Sequence, residues 1–140
     1  MSKFVMALLV VQLVVGAYLF AFVSSTGSRF STARATRLPS LLVFGHAVLG
    51  VTAPALWIFY LYTGETALVW VTLASLLASA GGGLFMLART AGRSDTLHRP
   101  AEDPADVRVV EKQVPASVLV GHGLGAALLV GCVLVVGLGA

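Results

Sequence analysis

The sequence predicts an all-α protein, an up-and-down bundle of four transmembrane helices. Hydrophobic residues make up 58% of the 140 residues and charged residues only 11%, which leaves too little polar surface to cover a water-soluble domain. Four apolar runs reach the length of about 20 residues that a helix needs to span a bilayer; they cover 4–23, 39–62, 66–88 and 115–138. We therefore expect residues 1–140 to form a single domain in the lipid bilayer.

The first apolar run is predicted to stay in the protein as a helix. Its apolar core is about twice as long as the core of a secretory signal peptide. No clear A-x-A cleavage site follows residue 23. A retained helix therefore fits this run better than a cleaved leader.

Basic residues are concentrated after the first and third apolar runs. Apart from Lys3, every Lys and Arg lies there: Arg29, Arg34, Arg37, Arg89, Arg93, Arg99, Arg108 and Lys112. Because cytoplasmic loops carry an excess of Lys and Arg, we expect both loops, including 90–114, to face the cytoplasm of a bacterial inner or plasma membrane. Both termini then lie outside. Topology and anionic lipid headgroups account for the net charge of +3, so no nucleic-acid partner is expected.

Four aromatic residues cluster near the turn between the second and third apolar runs. They are Trp57, Tyr60, Tyr62 and Trp70. Trp and Tyr are enriched at the interfaces of a bilayer. We therefore expect these side chains to face lipid as an aromatic belt.

A motif of Pro, Gly and His opens both the second and the fourth apolar runs. It reads PSLLVFGH at 39–46 and PASVLVGH at 115–122. A weaker match relates the first run to the third, in which Gly16, Leu19 and Phe20 align with Gly81, Leu84 and Phe85. Two tandem helix pairs are predicted. In this repeat the second and fourth helices run parallel and pack near each other.

His46 and His122 are predicted to face each other inside the bundle at equal depth. Proline favours the first turn of a helix, and each histidine follows its proline by seven residues, or about 10 Å of helix. A ring in hydrocarbon needs a polar partner, and neutral imidazole is a common iron ligand. One haem b would satisfy both rings, which makes His46 and His122 the candidate metal ligands.

Small residues accompany both histidines. Gly45 and Gly121 directly precede them, and Gly50 and Gly125 follow about one helical turn later. These glycines either leave room for a flat macrocycle or serve ordinary helix packing. Arg37, near the start of the second helix, is a candidate partner for haem propionates.

Other interpretations of the histidines stay open. The rings can hydrogen-bond to neighbouring helices, handle protons or hold another metal. Cys132 lies ten residues beyond His122, too far along the helix for a shared His/Cys metal site. Gln12 is interpreted as an interhelical hydrogen-bonding residue.

The paired Gly-His helices resemble those of small membrane cytochromes b, including the haem-bearing anchor subunits of quinone-linked respiratory complexes. The resemblance rests on the four-helix plan and on His46 and His122. It implies one-electron transfer between a quinol and a membrane or cytoplasmic partner protein, with quinone as a second candidate ligand. Because two histidines fill both axial positions of an iron, a carrier is predicted rather than a stand-alone enzyme, and no catalytic residue is assigned.

Two further function classes are retained. The first is a cofactor-free accessory or assembly subunit of a larger membrane complex, in which the histidines only join helices. The second, transport of a small solute, is weaker because the apolar runs carry no charged residue to couple an ion.

Overall fold

The computed structural model describes residues 1–24, 34–35, 38–91, 108–109 and 114–139. The described helices are α1 (Ser2–Ser24), α2 (Ser40–Thr63), α3 (Thr66–Ala91) and α4 (Ala116–Gly137). All four are long and apolar enough to cross a membrane. The predicted all-α bundle of four transmembrane helices is therefore confirmed.

The helix bounds lie within a few residues of the predicted ones. The largest difference is at the end of α3, which continues to Ala91 instead of stopping at residue 88. Its last turn is supported by Thr90, whose Oγ1 donates to the carbonyl oxygen of Met86 at 2.9 Å. The predicted loop 90–114 thus begins after Ala91, and most of it lies outside the described residues.

Consecutive helices pack side by side around the bundle. Contacts join α1 to α2, α2 to α3 and α3 to α4, and α4 closes the ring against α1. The helices α2 and α4, which we expected to pack near each other, therefore occupy diagonal corners, because each is flanked by α1 and α3.

A short pairing joins the two polar loops at one end of the bundle. The strands β1 (Arg34–Ala35) and β2 (Arg108–Val109) run parallel, with Arg34 opposite Arg108. Both basic loops therefore meet where α2 and α4 begin. The sequence pattern gave no indication of this pairing.

The tightly packed core lies at the opposite end of the bundle. Its buried apolar members, among the residues that the structure describes, are Val5, Leu9, Ala53, Trp57, Val69, Leu73, Leu129 and Val133. They come from the first halves of α1 and α3 and the second halves of α2 and α4. The half near the loops, which contains both histidines, is consequently packed more loosely.

A two-residue turn connects α2 to α3 at the packed end. Gly64 follows α2 with a φ of 75°, and its N–H donates to the carbonyl oxygen of Tyr60 at 2.8 Å. Glycine adopts this left-handed conformation without the steric cost that a Cβ would bring. The turn sets α2 and α3 side by side in opposite directions.

Large apolar side chains remain exposed along every helix. Phe4, Leu41, Leu84 and Leu124 are each more than half exposed. Such a surface would aggregate in water, but it suits helices whose solvent is lipid. The protein is an integral membrane protein.

The expected lipid-facing position is wrong for Trp57. Its side chain is fully buried, and its indole N–H donates to the carbonyl oxygen of Ser2 at 3.1 Å. The ring also packs against Tyr60, with 4.9 Å between the ring centroids. A buried indole needs an acceptor for its N–H, and the start of α1 provides one. Tyr62 and Trp70, by contrast, are exposed.

Candidate functional site

His46 and His122 meet inside the bundle from diagonal helices. Their ring centroids are 6.3 Å apart and their planes are inclined by 72°. Each histidine lies six residues beyond the first residue of its helix, so the two side chains are at the same depth. Both residues are half-buried.

The two prolines of the repeated motif set this common depth. Pro39 and Pro115 each occupy the position directly before a helix, with ψ angles of 127° and 125°. Their carbonyl oxygens accept the first N–H groups of the following turns. Because proline has no N–H of its own to leave unpaired, it suits this position. Two equivalent helix starts thus place two equivalent histidines.

His46 is held by Ser79 of α3. Its Nδ1 lies 2.8 Å from the backbone carbonyl oxygen of Ser79 and 3.1 Å from the hydroxyl oxygen. A carbonyl oxygen only accepts hydrogen bonds, so Nδ1 carries the proton and Nε2 of the neutral ring does not. Metal-binding histidines are commonly oriented in this way, by donating the second ring N–H to a carbonyl.

His122 is held by Gln12 of α1. The surrounding groups assign the orientation of the Gln12 amide: with its nitrogen toward His122, it donates to Nδ1 at 2.7 Å and to the carbonyl oxygen of His122 at 3.3 Å. The amide oxygen accepts from the backbone N–H of Ala126 at 3.1 Å. The interpretation of Gln12 as an interhelical hydrogen-bonding residue is confirmed.

Two glycines of α1 and α3 lie against the rings, and the one on α3 is the more tightly packed. A Cβ at Gly16 would lie 3.5 Å from Cε1 of His122, and one at Gly83 would lie 3.2 Å from Cε1 of His46. Gln12 precedes Gly16 by four residues, as Ser79 precedes Gly83, so each pair lies on one helix face. Each histidine therefore packs against a polar residue and a glycine from the neighbouring helix.

Sequence reasoning missed Gly83 and Ser79 as members of the site. The sequence repeat aligns Gly16 with Gly81, whereas the contacts with the histidines make Gly16 equivalent to Gly83 and Gln12 equivalent to Ser79. The detectable signal was a polar residue followed by glycine four positions later on both α1 and α3. Gln12 and Ser79 are equivalent because each contacts a histidine, although they are different residue types.

Three of the glycines predicted to make room for a macrocycle face open space. A Cβ added at Gly45, Gly50 or Gly121 would meet no described atom within 4 Å. Gly45 also lines an apolar groove beside His46. The glycines in contact with the rings belong to α1 and α3 instead.

Of the two remaining predicted site residues, Gly125 lies within the described part of the chain and Arg37 does not. A Cβ at Gly125 would overlap the amide of Gln12. The absence of a side chain at Gly125 therefore lets the Gln12 amide reach the backbone of α4. Arg37, the candidate partner for propionates, lies outside the described residues.

The groove beside His46 has a volume of about 290 Å³. It lies between α2 and α3, starts at Pro39 and is open on one side. Apart from His46, its lining is apolar: Pro39, Leu41, Leu42, Gly45, Leu49, Ala78 and Gly82. An apolar ligand or part of one can enter the bundle here.

The polar groups of the site limit the kind of metal centre that it can form. Within the described part of the chain, no three residues among His, Cys, Asp and Glu are grouped to hold a metal ion. A structural or catalytic zinc site uses at least three protein ligands. Two histidines alone suit a metal whose other ligands come with a cofactor.

Comparison with known proteins adds no relative. No protein-family model, no curated protein and no solved structure matches this chain. A function therefore has to be argued from the chemistry of the site.

Proposed function

We propose that this membrane protein binds one haem b through His46 and His122 and serves as an electron carrier or as a subunit of a redox complex. The observation that carries the proposal is the pair of inward imidazoles with centroids 6.3 Å apart. Each ring has its Nδ1 engaged by a different neighbouring helix. Among the described residues, neither Nε2 has a hydrogen-bond partner.

The spacing of the rings supports ligation of a single metal ion. A bond from a metal to an imidazole nitrogen is about 2 Å long, and that nitrogen lies about 1 Å from the ring centroid. Two imidazoles on opposite sides of one metal therefore have centroids roughly 6 Å apart. The centroid distance of 6.3 Å between His46 and His122 is close to this value, which supports the proposal.

The number of protein ligands also supports haem. A porphyrin supplies the equatorial ligands of its iron, so the protein has to supply only two axial ones. His46 and His122 provide that number, and axial histidine is a common ligand of haem iron. Helix bundles hold such cofactors between facing helices.

The space near the histidines fits a macrocycle in part. The groove of about 290 Å³ is just below the usual size of small-molecule pockets, about 300–1,000 Å³. It borders His46 but not His122, so it could take no more than an edge of the ring. The rest of the space has to come from the loosely packed half of the bundle, where the described part of the chain has no buried apolar residue. Haem binding should therefore bury more of the side chains in this half.

Each residue of the site has a defined role in this function. When bound, haem supplies a one-electron redox couple. His46 and His122 would hold the iron, the Ser79 carbonyl orients His46, and the apolar helix faces would exclude water. An electron carrier needs no open coordination position, so ligation by two histidines suits transfer to a partner protein better than catalysis at the iron.

A second function, that of a cofactor-free accessory subunit, is favoured by one observation. The Nδ1 hydrogen bonds already tie α2 to α3 through Ser79 and α4 to α1 through Gln12. In this function the histidines only join helices. Titration of the purified protein with haem separates the two functions: a carrier saturates at one haem per chain with a sharpened Soret band, whereas an accessory subunit leaves the spectrum that of free haem.

We further propose that the polar loops face the cytoplasm, which places both histidines in the cytoplasmic half of the membrane. The excess of Lys and Arg in these loops supports this orientation. A redox partner protein would then approach the haem from the cytoplasmic side.

The orientation predicts that the turn between α2 and α3 lies outside the cell. A Glu65→Cys variant in a Cys132→Ala background should react with a membrane-impermeant maleimide on intact cells. Glu65 is exposed. Gly64 is less suitable for labelling because a cysteine would be strained in its left-handed conformation. Arg93→Cys in the loop after α3 serves as the control and should react only after lysis. If Arg93→Cys reacts on intact cells and Glu65→Cys reacts only after lysis, the orientation is the opposite of the proposed one.

A further inference from the structure

We propose that the amide of Gln12 sets the tautomer of His122 and thereby controls whether His122 can ligate a metal. Gln12 is thus a positioning residue, which acts on the site through His122. The control of ligation rests on the proposed function, whereas the tautomer itself is a property of the protein without any cofactor.

The hydrogen bonds place the two rings in opposite tautomers. His46 donates from Nδ1 to the carbonyl oxygen of Ser79 at 2.8 Å, which leaves Nε2 unprotonated. His122 accepts at Nδ1 from the Gln12 amide nitrogen at 2.7 Å, so its proton is on Nε2. As folded, His46 is ready to ligate a metal and His122 is not.

The backbone of α4 is what holds Gln12 in this orientation. The amide nitrogen also donates to the carbonyl oxygen of His122, and the amide oxygen accepts from the N–H of Ala126. Rotating the amide by half a turn would set oxygen against oxygen at 3.3 Å and nitrogen against nitrogen at 3.1 Å. In the rotated state the amide loses its two hydrogen bonds to the backbone of α4. Its oxygen can instead accept a hydrogen bond from Nδ1–H of His122.

Metal binding needs the rotated state. Only an unprotonated Nε2 can donate its electron pair to a metal, and the proton of His122 then has to reside on Nδ1. In that tautomer Nδ1–H needs an acceptor, which the Gln12 oxygen supplies after rotation. Metal binding at His122 and rotation of the Gln12 amide are consequently coupled, so that each favours the other.

Gly125 is part of this arrangement. A Cβ at Gly125 would overlap the Gln12 amide, so alanine at this position has to displace the amide from α4. Gly121, one turn earlier on the same helix, has no described atom within 4 Å of its Cβ position. These two glycines offer a matched pair of variants.

Nitrogen-15 NMR of the histidine rings tests the inference on the full-length protein without haem. A His98→Asn background removes the third ring, and His46→Gln assigns the remaining signals. We expect His46 to be protonated at Nδ1 and His122 at Nε2. In Gln12→Leu, the preference of His122 for Nε2–H should fall at least about fivefold, the factor that one net hydrogen bond supplies, and further if both backbone bonds of the amide contribute.

Two controls separate this effect from a general loss of packing. Gly125→Ala should reproduce the change at His122, whereas Gly121→Ala should leave both rings unchanged. Ser79→Ala should leave His46 in its tautomer, since the main acceptor of His46 is a backbone carbonyl that alanine retains.

The outcomes for the tautomer and for haem are distinguishable. Opposite tautomers in the free protein, with a switch of His122 to Nδ1–H when reduced low-spin haem b is added, support the inference. A wild-type His122 protonated at Nδ1, or unchanged in both Gln12→Leu and Gly125→Ala, would overturn it even if haem binds. A protein that shows opposite tautomers but binds no haem would keep Gln12 in its role and remove the proposed function.

Discussion

His46→Ala and His122→Ala are each expected to abolish the low-spin haem spectrum of the protein. In the proposed function, each substitution removes one of the two residues that would ligate the iron, and within the described residues no other His, Cys, Asp or Glu is grouped with them. Loss of an outer hydrogen-bonding partner of a ligand weakens metal binding by about 10-fold to 100-fold, so loss of the ligand itself should weaken haem binding by at least about 100-fold. Absorption spectra of the haem-titrated variants measure this.

Two controls make the result specific to ligation. His98→Ala changes a histidine of the polar loop and should leave haem binding unchanged. Added imidazole should restore a low-spin spectrum to His46→Ala and His122→Ala, because the shortened side chains leave space where the rings were. If both alanine variants keep the wild-type spectrum, or if imidazole restores nothing while the helices remain folded, His46 and His122 are not the ligands.

Trp57→Ala is expected to lower the free energy of unfolding by about 3–5 kcal/mol, the usual cost of removing a fully buried large aromatic side chain. Trp57 is fully buried in the core at the end of the bundle opposite the loops. The substitution leaves a cavity among all four helices and releases the start of α1. Unfolding by SDS titration from mixed micelles, followed by circular dichroism, measures the change.

Trp57→Phe separates packing from hydrogen bonding. It retains most of the ring but loses the N–H that donates to the carbonyl oxygen of Ser2. The cost should then fall to about 1–2 kcal/mol, because one hydrogen bond and only part of the ring's packing are lost. Equal and negligible effects of both variants would show that the indole faces lipid, as the sequence pattern alone suggested.

The architecture could be predicted because its determinants are local. Composition and the length of each apolar run are enough to identify four membrane helices, and Pro39 and Pro115 mark the starts of α2 and α4. The spacing from each proline to its histidine then sets a common depth. A helix converts equal spacing in the chain into equal height, which is why the two rings were expected to meet.

The rotation of each helix could not be predicted from the same pattern. In a membrane helix nearly every face is apolar, so hydrophobic periodicity does not identify the inward side. The pattern therefore places Trp57 at the lipid surface, whereas its side chain is buried. The contacts across the bundle, and not the residue types, decide these positions.

The contacts of the histidines were only partly predictable. Gln12 was identifiable because it is a polar residue in an apolar helix. Ser79 was not, since serine is common in membrane helices and its main contribution is a backbone carbonyl, which no residue type indicates. Matching Gly83 with Gly16 also requires the relative heights of α1 and α3 in the bundle, which the apolar pattern does not provide.

The most direct test of haem ligation is the electron paramagnetic resonance spectrum of the wild-type protein, purified from cells supplied with haem and measured in the ferric state. The proposed function predicts one haem per chain and a low-spin signal typical of iron with two axial imidazoles. A protein that carries no haem, or a high-spin signal showing that at most one histidine is bound, would contradict ligation by His46 and His122.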